Sequence, residues 1–147
     1  MKDRVFVDTN ILVYFRDASE PEKQNMAQGL LRRLWEEKRG RISTQVLSEY
    51  FVTVTRKLKP GLPASDAWQD VQAFLAWDPV PIDKAMMAKA YSAYTKYSLS
   101  WWDALVVVAA EQAGCRVIAS EDLSAGQEYF GIRVINPFLE EIANFLP

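Results

Sequence analysis

The chain has 147 residues, of which 50% are hydrophobic, and it carries a formal net charge of −2. A chain of this length and composition is expected to form one domain, spanning residues 1–147, around a single core. It contains no histidine and one cysteine. Zinc sites built from His and Cys, Ser-His-Asp triads, Cys-His pairs and internal disulfides are therefore excluded. Hydrolytic chemistry would have to use carboxylates, hydroxyls, Lys, Arg or Tyr, and hard oxygen ligands favour Mg²⁺ or Mn²⁺.

No apolar run reaches the roughly 18 residues that a membrane-spanning helix needs, and the N-terminus lacks the basic and apolar regions of a secretory signal. We therefore expect a cytoplasmic protein without a membrane partner.

The near-neutral charge of the chain gives no overall attraction to nucleic acid. Basic residues do crowd two stretches, 32–41 and 56–59, and either could line a phosphate backbone. A solvated helix face is the favoured alternative for both stretches.

Strands and helices alternate along the first half of the chain. In chain order, we predict a strand over residues 4–7, helices over 9–15 and 21–38, a strand over 41–43 and a helix over 44–58. Ser19 followed by Glu22 predicts a capping box before the second helix, and Gly40 is expected to end that helix. Ser43 or Thr44 is expected to cap the third helix.

The second half continues the alternation. In chain order, we predict a helix over residues 64–76, an edge strand or its remnant over 78–82, helices over 83–97 and 100–113, strands over 116–119 and 132–135, and a terminal helix from Asn136. Two prolines confine residues 78–82 to a sheet edge. Residues 104–110 are all apolar, so that helix should be buried on most sides. Strands separated by helices imply a parallel sheet between helical layers.

Acidic residues follow or adjoin several of these elements. Asp8 and Asp122 each lie just past an apolar strand, and the carboxyl ends of parallel strands share one edge of a sheet, so these two could converge. Asp103 lies in the first turn of the most apolar helix, where the helix dipole stabilises a carboxylate. Glu49 lies away from the apolar stripe of its helix but within about two turns of the sheet edge.

Each acid also has a purely structural interpretation. Asp8 could cap the first helix, and Glu49 could be a solvated surface residue. Asp103 could close a capping box with Ser100, and Asp122 could belong to a turn. Together, however, four carboxylates in one cleft would repel one another and raise their pKa values unless a divalent cation compensated their charge. Such a site is suited to phosphodiester hydrolysis.

Four short motifs, taken in order, resemble the PIN domain family and specifically the VapC-type toxins of bacterial toxin–antitoxin pairs. The motifs lie at residues 7–14 (VDTNILVY), 43–49 (STQVLSE), 100–105 (SWWDAL) and 120–123 (SEDL). The resemblance implies a three-layer α/β/α fold with a central parallel sheet. It also implies an Mg²⁺- or Mn²⁺-dependent endoribonuclease that is inhibited by a cognate antitoxin protein and forms a homodimer.

The resemblance further implies the site residues. Metal binding and catalysis would fall to Asp8, Glu49, Asp103 and Asp122, with Asn10 and Ser120 in support. Many relatives carry Thr where this chain has Ser120, and the hydroxyl is retained. Cleavage is expected to leave a 5′-phosphate and a 3′-hydroxyl, because attack by the RNA 2′-hydroxyl usually employs a general base such as His, and the chain has none.

The sequence also allows two other functions for the chain and an RNA-binding role for its paired tryptophans. A phosphate-handling enzyme of the haloacid-dehalogenase kind needs a second Asp two positions after the first, where this chain has Asn10. A non-catalytic module that binds RNA or an antitoxin is the stronger alternative, and a metal titration would distinguish it. Trp101 and Trp102 could stack on RNA bases, although core packing is the favoured role for at least one of them.

Overall fold

One five-stranded sheet runs through the molecule. In the computed structural model, which describes residues 2–146, its strands are β1 (Arg4–Val7), β2 (Gly40–Arg41), β3 (Cys115–Ala119), β4 (Glu128–Tyr129) and β5 (Ile132–Ile135). The strand order is β2-β1-β3-β5-β4. The first four strands in this order pair in parallel, whereas β4 pairs antiparallel to β5. The parallel sheet is thus confirmed, and β4 adds an antiparallel edge that the sequence pattern did not predict.

Helices flank this sheet, as expected for a layered α/β protein. They are α1 (Thr9–Arg16), α2 (Pro21–Glu36), α3 (Thr44–Arg56), α4 (Ala64–Phe74), α5 (Lys84–Tyr97), α6 (Trp101–Gln112) and α7 (Ile142–Phe145). The predicted strand at residues 78–82 is reduced to a single parallel bridge between Ser43 and Val80, in keeping with an edge remnant. Within residues 2–146, no helix is both long enough and apolar enough to cross a bilayer.

The core lies between the sheet and the helices that pack on it. Every residue of α6 from Ala104 to Ala110 is buried, which confirms the predicted burial of that helix on most sides. α6 packs against both α5 and β3. In β1, Val5, Phe6 and Val7 are fully buried, so the strand that carries Asp8 at its end is fixed on both faces. A rigid strand of this kind can hold a functional side chain in place.

The predicted start of α2 at Pro21 is confirmed, but the predicted capping box is wrong and the helix stops two residues before the predicted end at residue 38. Ser19 does not cap the helix: its hydroxyl donates to Asp17 Oδ1 at 2.5 Å, and Pro21 stands in the first turn of α2. A proline suits this position because its fixed φ is helical and it lacks the N–H that would have no partner there. At the other end, the helix stops at Glu36.

Gly40 does not end α2 but lies in β2. A Cβ atom at this position would lie 2.5 Å from the ring of Trp77. The glycine therefore permits the close approach of a buried indole to the strand, a tertiary requirement that turn chemistry alone does not reveal.

The predicted terminal helix at Asn136 is also wrong. The Asn136 side-chain oxygen accepts the backbone N–H of Phe138 at 2.9 Å. This local bond closes a turn and competes with helix formation, as Asn side chains often do. α7 begins only at Ile142.

Candidate functional site

Asp8 lies at the carboxyl end of β1, where it also caps α1. Its Oδ1 accepts the backbone N–H of Thr9 at 2.8 Å, and its Oδ2 accepts the Ser120 hydroxyl at 2.8 Å. Ser120 follows β3 directly, and β1 and β3 are parallel neighbours with Val7 opposite Ala119. The pairing register therefore sets Asp8 and Ser120 side by side. The side chain of Asp8 is 6% exposed, so this carboxylate is held inside the protein.

Asn10 ties the loop after β3 to the start of α1. Its Nδ2 donates to Asp122 Oδ2 at 3.2 Å and lies 3.4 Å from Asp8 Oδ2. Its Oδ1 accepts the backbone N–H of Glu121 at 3.0 Å. Ser120 Oγ in turn accepts the backbone N–H of Asp122 at 3.1 Å. Two carboxylates from strands far apart in sequence thus share one amide group at one edge of the sheet.

Glu49 reaches the same edge from α3. Its Oε2 accepts the Thr9 hydroxyl at 2.8 Å, and its Oε1 accepts Gln45 Nε2 at 2.8 Å. The side chain is half-buried, so the solvated-surface alternative is wrong. Gln45 Oε1 is buried without a hydrogen-bond partner in residues 2–146, which leaves one polar atom beside Glu49 unsatisfied. Because Thr9 follows Asp8 in the chain, the contact brings Glu49 next to the carboxyl end of β1.

Asp103 lies in the first turn of α6, as predicted. The Ser100 hydroxyl accepts the backbone N–H of Asp103 at 3.1 Å and so caps the helix. In residues 2–146, the Ser100 backbone N–H does not donate to the Asp103 carboxylate, so the reciprocal capping box is incomplete. Hydrogen bonding with the Ser100 side chain nevertheless lowers the pKa of Asp103, so helix capping engages the carboxylate only through that side chain.

The acids influence one another electrostatically. The pKa of Asp8 is raised to about 6, chiefly by burial. Hydrogen bonds from Ser120 and Thr9 lower the pKa in part, and the negative charges of Asp103 and Asp122 raise it further. Burial also raises the pKa of Asp103, the hydrogen bond with Ser100 lowers it in part, and the negative charges of Asp122 and Glu49 raise it further. Asp103 is thus close enough to each of the other three acids to be repelled by it. Even so, no three acidic or Cys side chains in residues 2–146 are grouped so that they could hold a metal ion in this arrangement.

A second cluster supports the loop that carries Asp122. Glu121 accepts the Tyr14 hydroxyl and Lys23 Nζ, both at 2.6 Å. Burial would raise the pKa of Glu121, but these two donors outweigh it, and the pKa is lowered. Sequence reasoning missed this cluster because Tyr14 and Lys23 are about a hundred positions away from Glu121, and nothing in the local pattern of either segment indicates the contact.

Two of the five basic residues in the first basic stretch, residues 32–41, are held in ion pairs within the described residues 2–146. Arg33 and Arg39 both bind Glu37, at 2.8 and 3.0 Å, and Arg39 is buried. These arginines are therefore poorly placed to line a phosphate backbone.

The two tryptophans before Asp103 differ in burial. Trp101 is half-buried and packs on the core, whereas Trp102 is 62% exposed. Core packing of one of the pair is thus confirmed.

Comparisons with known proteins bear on this arrangement. The fold is similar to that of VapC20 from Mycobacterium tuberculosis, described as a Sarcin-Ricin loop cleaving toxin, with a TM-score of 0.59 and 17% sequence identity over 80% of this chain and 89% of that chain. At this identity the likeness shows the fold alone. A search of curated proteins finds no match. The family profile described as PIN domain matches residues 5–125. Since that match covers most of the chain, the protein belongs to the PIN domain family.

Proposed function

We propose that this chain is a metal-dependent endoribonuclease, the toxin of a toxin–antitoxin pair, and that it hydrolyses RNA phosphodiesters at the acidic sheet edge. One observation carries the proposal: Asn10 and Ser120 join Asp8 and Asp122, which lie 114 positions apart in the sequence, in one hydrogen-bonded group. Purely local capping or turn roles would not require these two carboxylates to share partners. Membership of the PIN domain family supports the same conclusion.

The donor set fits a hard divalent cation. All four acids offer carboxylate oxygens, which suit Mg²⁺ or Mn²⁺. Burial raises the pKa values of Asp8 and Asp103, and the negative charges of neighbouring acids, which a cation would compensate, raise them further. When bound, the cation would neutralise phosphate charge and activate water for hydrolysis. Because no three of the side chains in residues 2–146 are grouped around one point, sharing an ion would require some of them to move closer together.

The residues of the chain would divide the work. Asp8, Glu49, Asp103 and Asp122 would hold the cation and, through it, the scissile phosphate. Ser120 keeps Asp8 in place through its hydroxyl. Since the chain lacks histidine, no imidazole can deprotonate an RNA 2′-hydroxyl, and hydrolysis to a 5′-phosphate and a 3′-hydroxyl is the expected outcome.

We further propose where the protein acts and which proteins it binds. A toxin of this kind would act in the cytoplasm, would be held inactive by a cognate antitoxin and would form a homodimer. Exposed apolar side chains support a protein-binding face on α5, where Met87, Tyr91 and Tyr94 are 50%, 62% and 44% exposed. Exposed apolar patches of this kind commonly mark interaction sites.

A non-catalytic module that binds RNA or an antitoxin is the second candidate. The observation in its favour is that the acids, although close, form no ready group for a metal within residues 2–146. The two candidates differ in whether RNA is cut.

A cleavage assay with end-labelled RNA tests the proposal. We expect cutting with Mg²⁺ or Mn²⁺, no cutting in excess EDTA, and 5′-phosphates on the downstream products. Asp8→Asn should abolish cutting, whereas Asp3→Asn, the same change at an exposed carboxylate, should not. Cutting that persists in EDTA, or in Asp8→Asn, would refute the proposal. No cutting of any RNA by the metal-loaded protein would favour the binding module.

A further inference from the structure

A groove adjoins the acidic edge on the side of α3 and α6. It encloses about 660 Å³, within the range of small-molecule sites, and two of its lining residues, Thr9 and Glu49, belong to the candidate site. Trp102 also lines it, and Lys57 lies in its wall at the end of α3. The groove is therefore continuous with the place where RNA would be cut.

Trp102 is the unusual feature of this groove. It is 62% exposed, although it stands in the first turn of the most apolar helix, between half-buried Trp101 and Asp103. An indole left largely in water contributes little to the core, and its flat face is available to another planar group. Because Trp102 and Glu49 line the same groove, a base stacked on Trp102 would bring its own phosphate toward Glu49.

The rest of the groove matches a nucleotide in chemistry. Val52, which is 51% exposed, provides apolar surface. Ser48 and Thr53 provide hydroxyl oxygens, and the Ser48 hydroxyl already donates to the Thr44 carbonyl, so it can only accept. Apolar surface suits the face of a base, whereas hydroxyls can bond its edges or a ribose 2′-hydroxyl.

Lys57 supplies positive charge away from the acids. It takes part in no salt bridge within residues 2–146. Eight residues of helix separate it from Glu49, which corresponds to about 12 Å. At that distance Lys57 would contact a flanking phosphate, not the one being cut.

We propose that this groove binds one unpaired base of a single-stranded RNA segment, stacked on Trp102, while Lys57 contacts a neighbouring phosphate. This inference rests on the proposed ribonuclease function and names the substrate form that the site takes. Stacking accepts any base, because every base has a π face, so the groove selects unpaired RNA over a duplex and does not by itself read sequence.

Binding of a short, unpaired, fluorescently labelled RNA, followed by anisotropy in EDTA, tests the inference without cleavage. Trp102→Ala should weaken binding by roughly 5- to 150-fold, the range for loss of one stacked base, and Trp102→Phe should restore most of it. Trp35→Ala is the matched control, because Trp35 is 44% exposed on α2 and lines a recess that shares no residue with the groove. Lys57→Ala should reduce the slope of log affinity against log salt by about 0.7.

An RNA of the same length that lacks its bases separates stacking from indirect effects. The wild type and Trp102→Ala should bind this abasic RNA equally, because no base remains to stack. The inference is overturned if Trp102→Ala and Trp35→Ala bind the normal RNA alike, or if the wild type binds the normal and abasic RNAs alike. It is also overturned if Trp102→Ala changes only self-association in sedimentation, which would assign the groove to a protein interface.

Cleavage measured in parallel keeps the two proposals distinct. If no metal supports cutting but the Trp102 effect on RNA binding remains, the ribonuclease proposal fails and the base-binding groove stands. If RNA is cut but Trp102 has no effect on its binding, only the groove fails.

Discussion

Replacing Asp8 by asparagine should change how the stability of the protein depends on pH. Burial raises the pKa of this carboxyl from 3.8 to about 6 in the folded protein. A group that holds its proton more tightly when folded stabilises the protein while it is protonated. That stabilisation is complete below about pH 4 and is lost as the pH rises through about 6. The amide that replaces the carboxyl in Asp8→Asn has no such proton to lose.

The size of the effect follows from the same values. A rise in pKa from 3.8 to about 6 corresponds to about 3 kcal/mol, at 1.36 kcal/mol for each pH unit. Because the side chain is only 6% exposed, solvent screening reduces this little. The free energy of unfolding of the variant, relative to the wild type, should therefore rise by about 3 kcal/mol between acid and neutral pH. That difference corresponds to a relative increase in Tm of about 6–12 °C.

Urea unfolding in EDTA, from about pH 3.5 to about pH 7.5, measures this difference directly. Comparing the variant with the wild type cancels the contributions of other titrating groups. The cost of the hydrogen bonds that asparagine cannot make remains in this difference, and following the change of the difference with pH separates it from the effect of the proton. Asp3→Asn serves as the control at an exposed carboxylate and should show little change with pH. A difference between Asp8→Asn and the wild type that stays constant across the range would refute the description of Asp8 as a buried, repelled acid.

Three further substitutions test the surroundings of the site. Ser120→Ala should lower the free energy of unfolding by about 1–3 kcal/mol in urea titrations, because the fully buried hydroxyl forms hydrogen bonds with several polar groups. An unchanged unfolding midpoint would contradict this hydrogen-bond network. Gly40→Ala should destabilise the folded protein by about 1–3 kcal/mol in thermal unfolding, because the added Cβ would lie 2.5 Å from the Trp77 ring. An unchanged stability would show that the ring can move aside. Tyr14→Phe should cost about 1 kcal/mol through loss of the bond to Glu121, seen as a lower Tm, and no loss would mean that the bond contributes nothing to stability.

Much of the site geometry could be predicted from the sequence because it depends on strand ends. The positions of Asp8 and Asp122 follow from parallel pairing of β1 and β3, and hydrophobic patterning identifies both strands. The position of Asp103 could also be predicted from hydrophobic patterning, because Asp103 lies in the first turn of the apolar helix α6. Glu49 needed the family resemblance, since its bond to Thr9 depends on how α3 packs beside α1.

What the sequence could not predict depends on contacts between distant segments. Gly40 looks like a helix terminator until the ring of Trp77 is seen against it, and a helix start at Asn136 is prevented by a side-chain bond to Phe138. The ion pair between Lys23 and Glu121 has the same origin. Local patterns report the propensity of one segment, and tertiary packing can override it.

Calorimetric titration with Mn²⁺ tests the central claim most directly. If Asp8, Glu49, Asp103 and Asp122 share a cation, the wild type should bind Mn²⁺ and each single change to Asn or Gln should weaken that binding by at least tenfold, whereas Asp3→Asn should bind as the wild type does. No binding of Mn²⁺ by the wild type, or equal binding by every variant, would contradict the account.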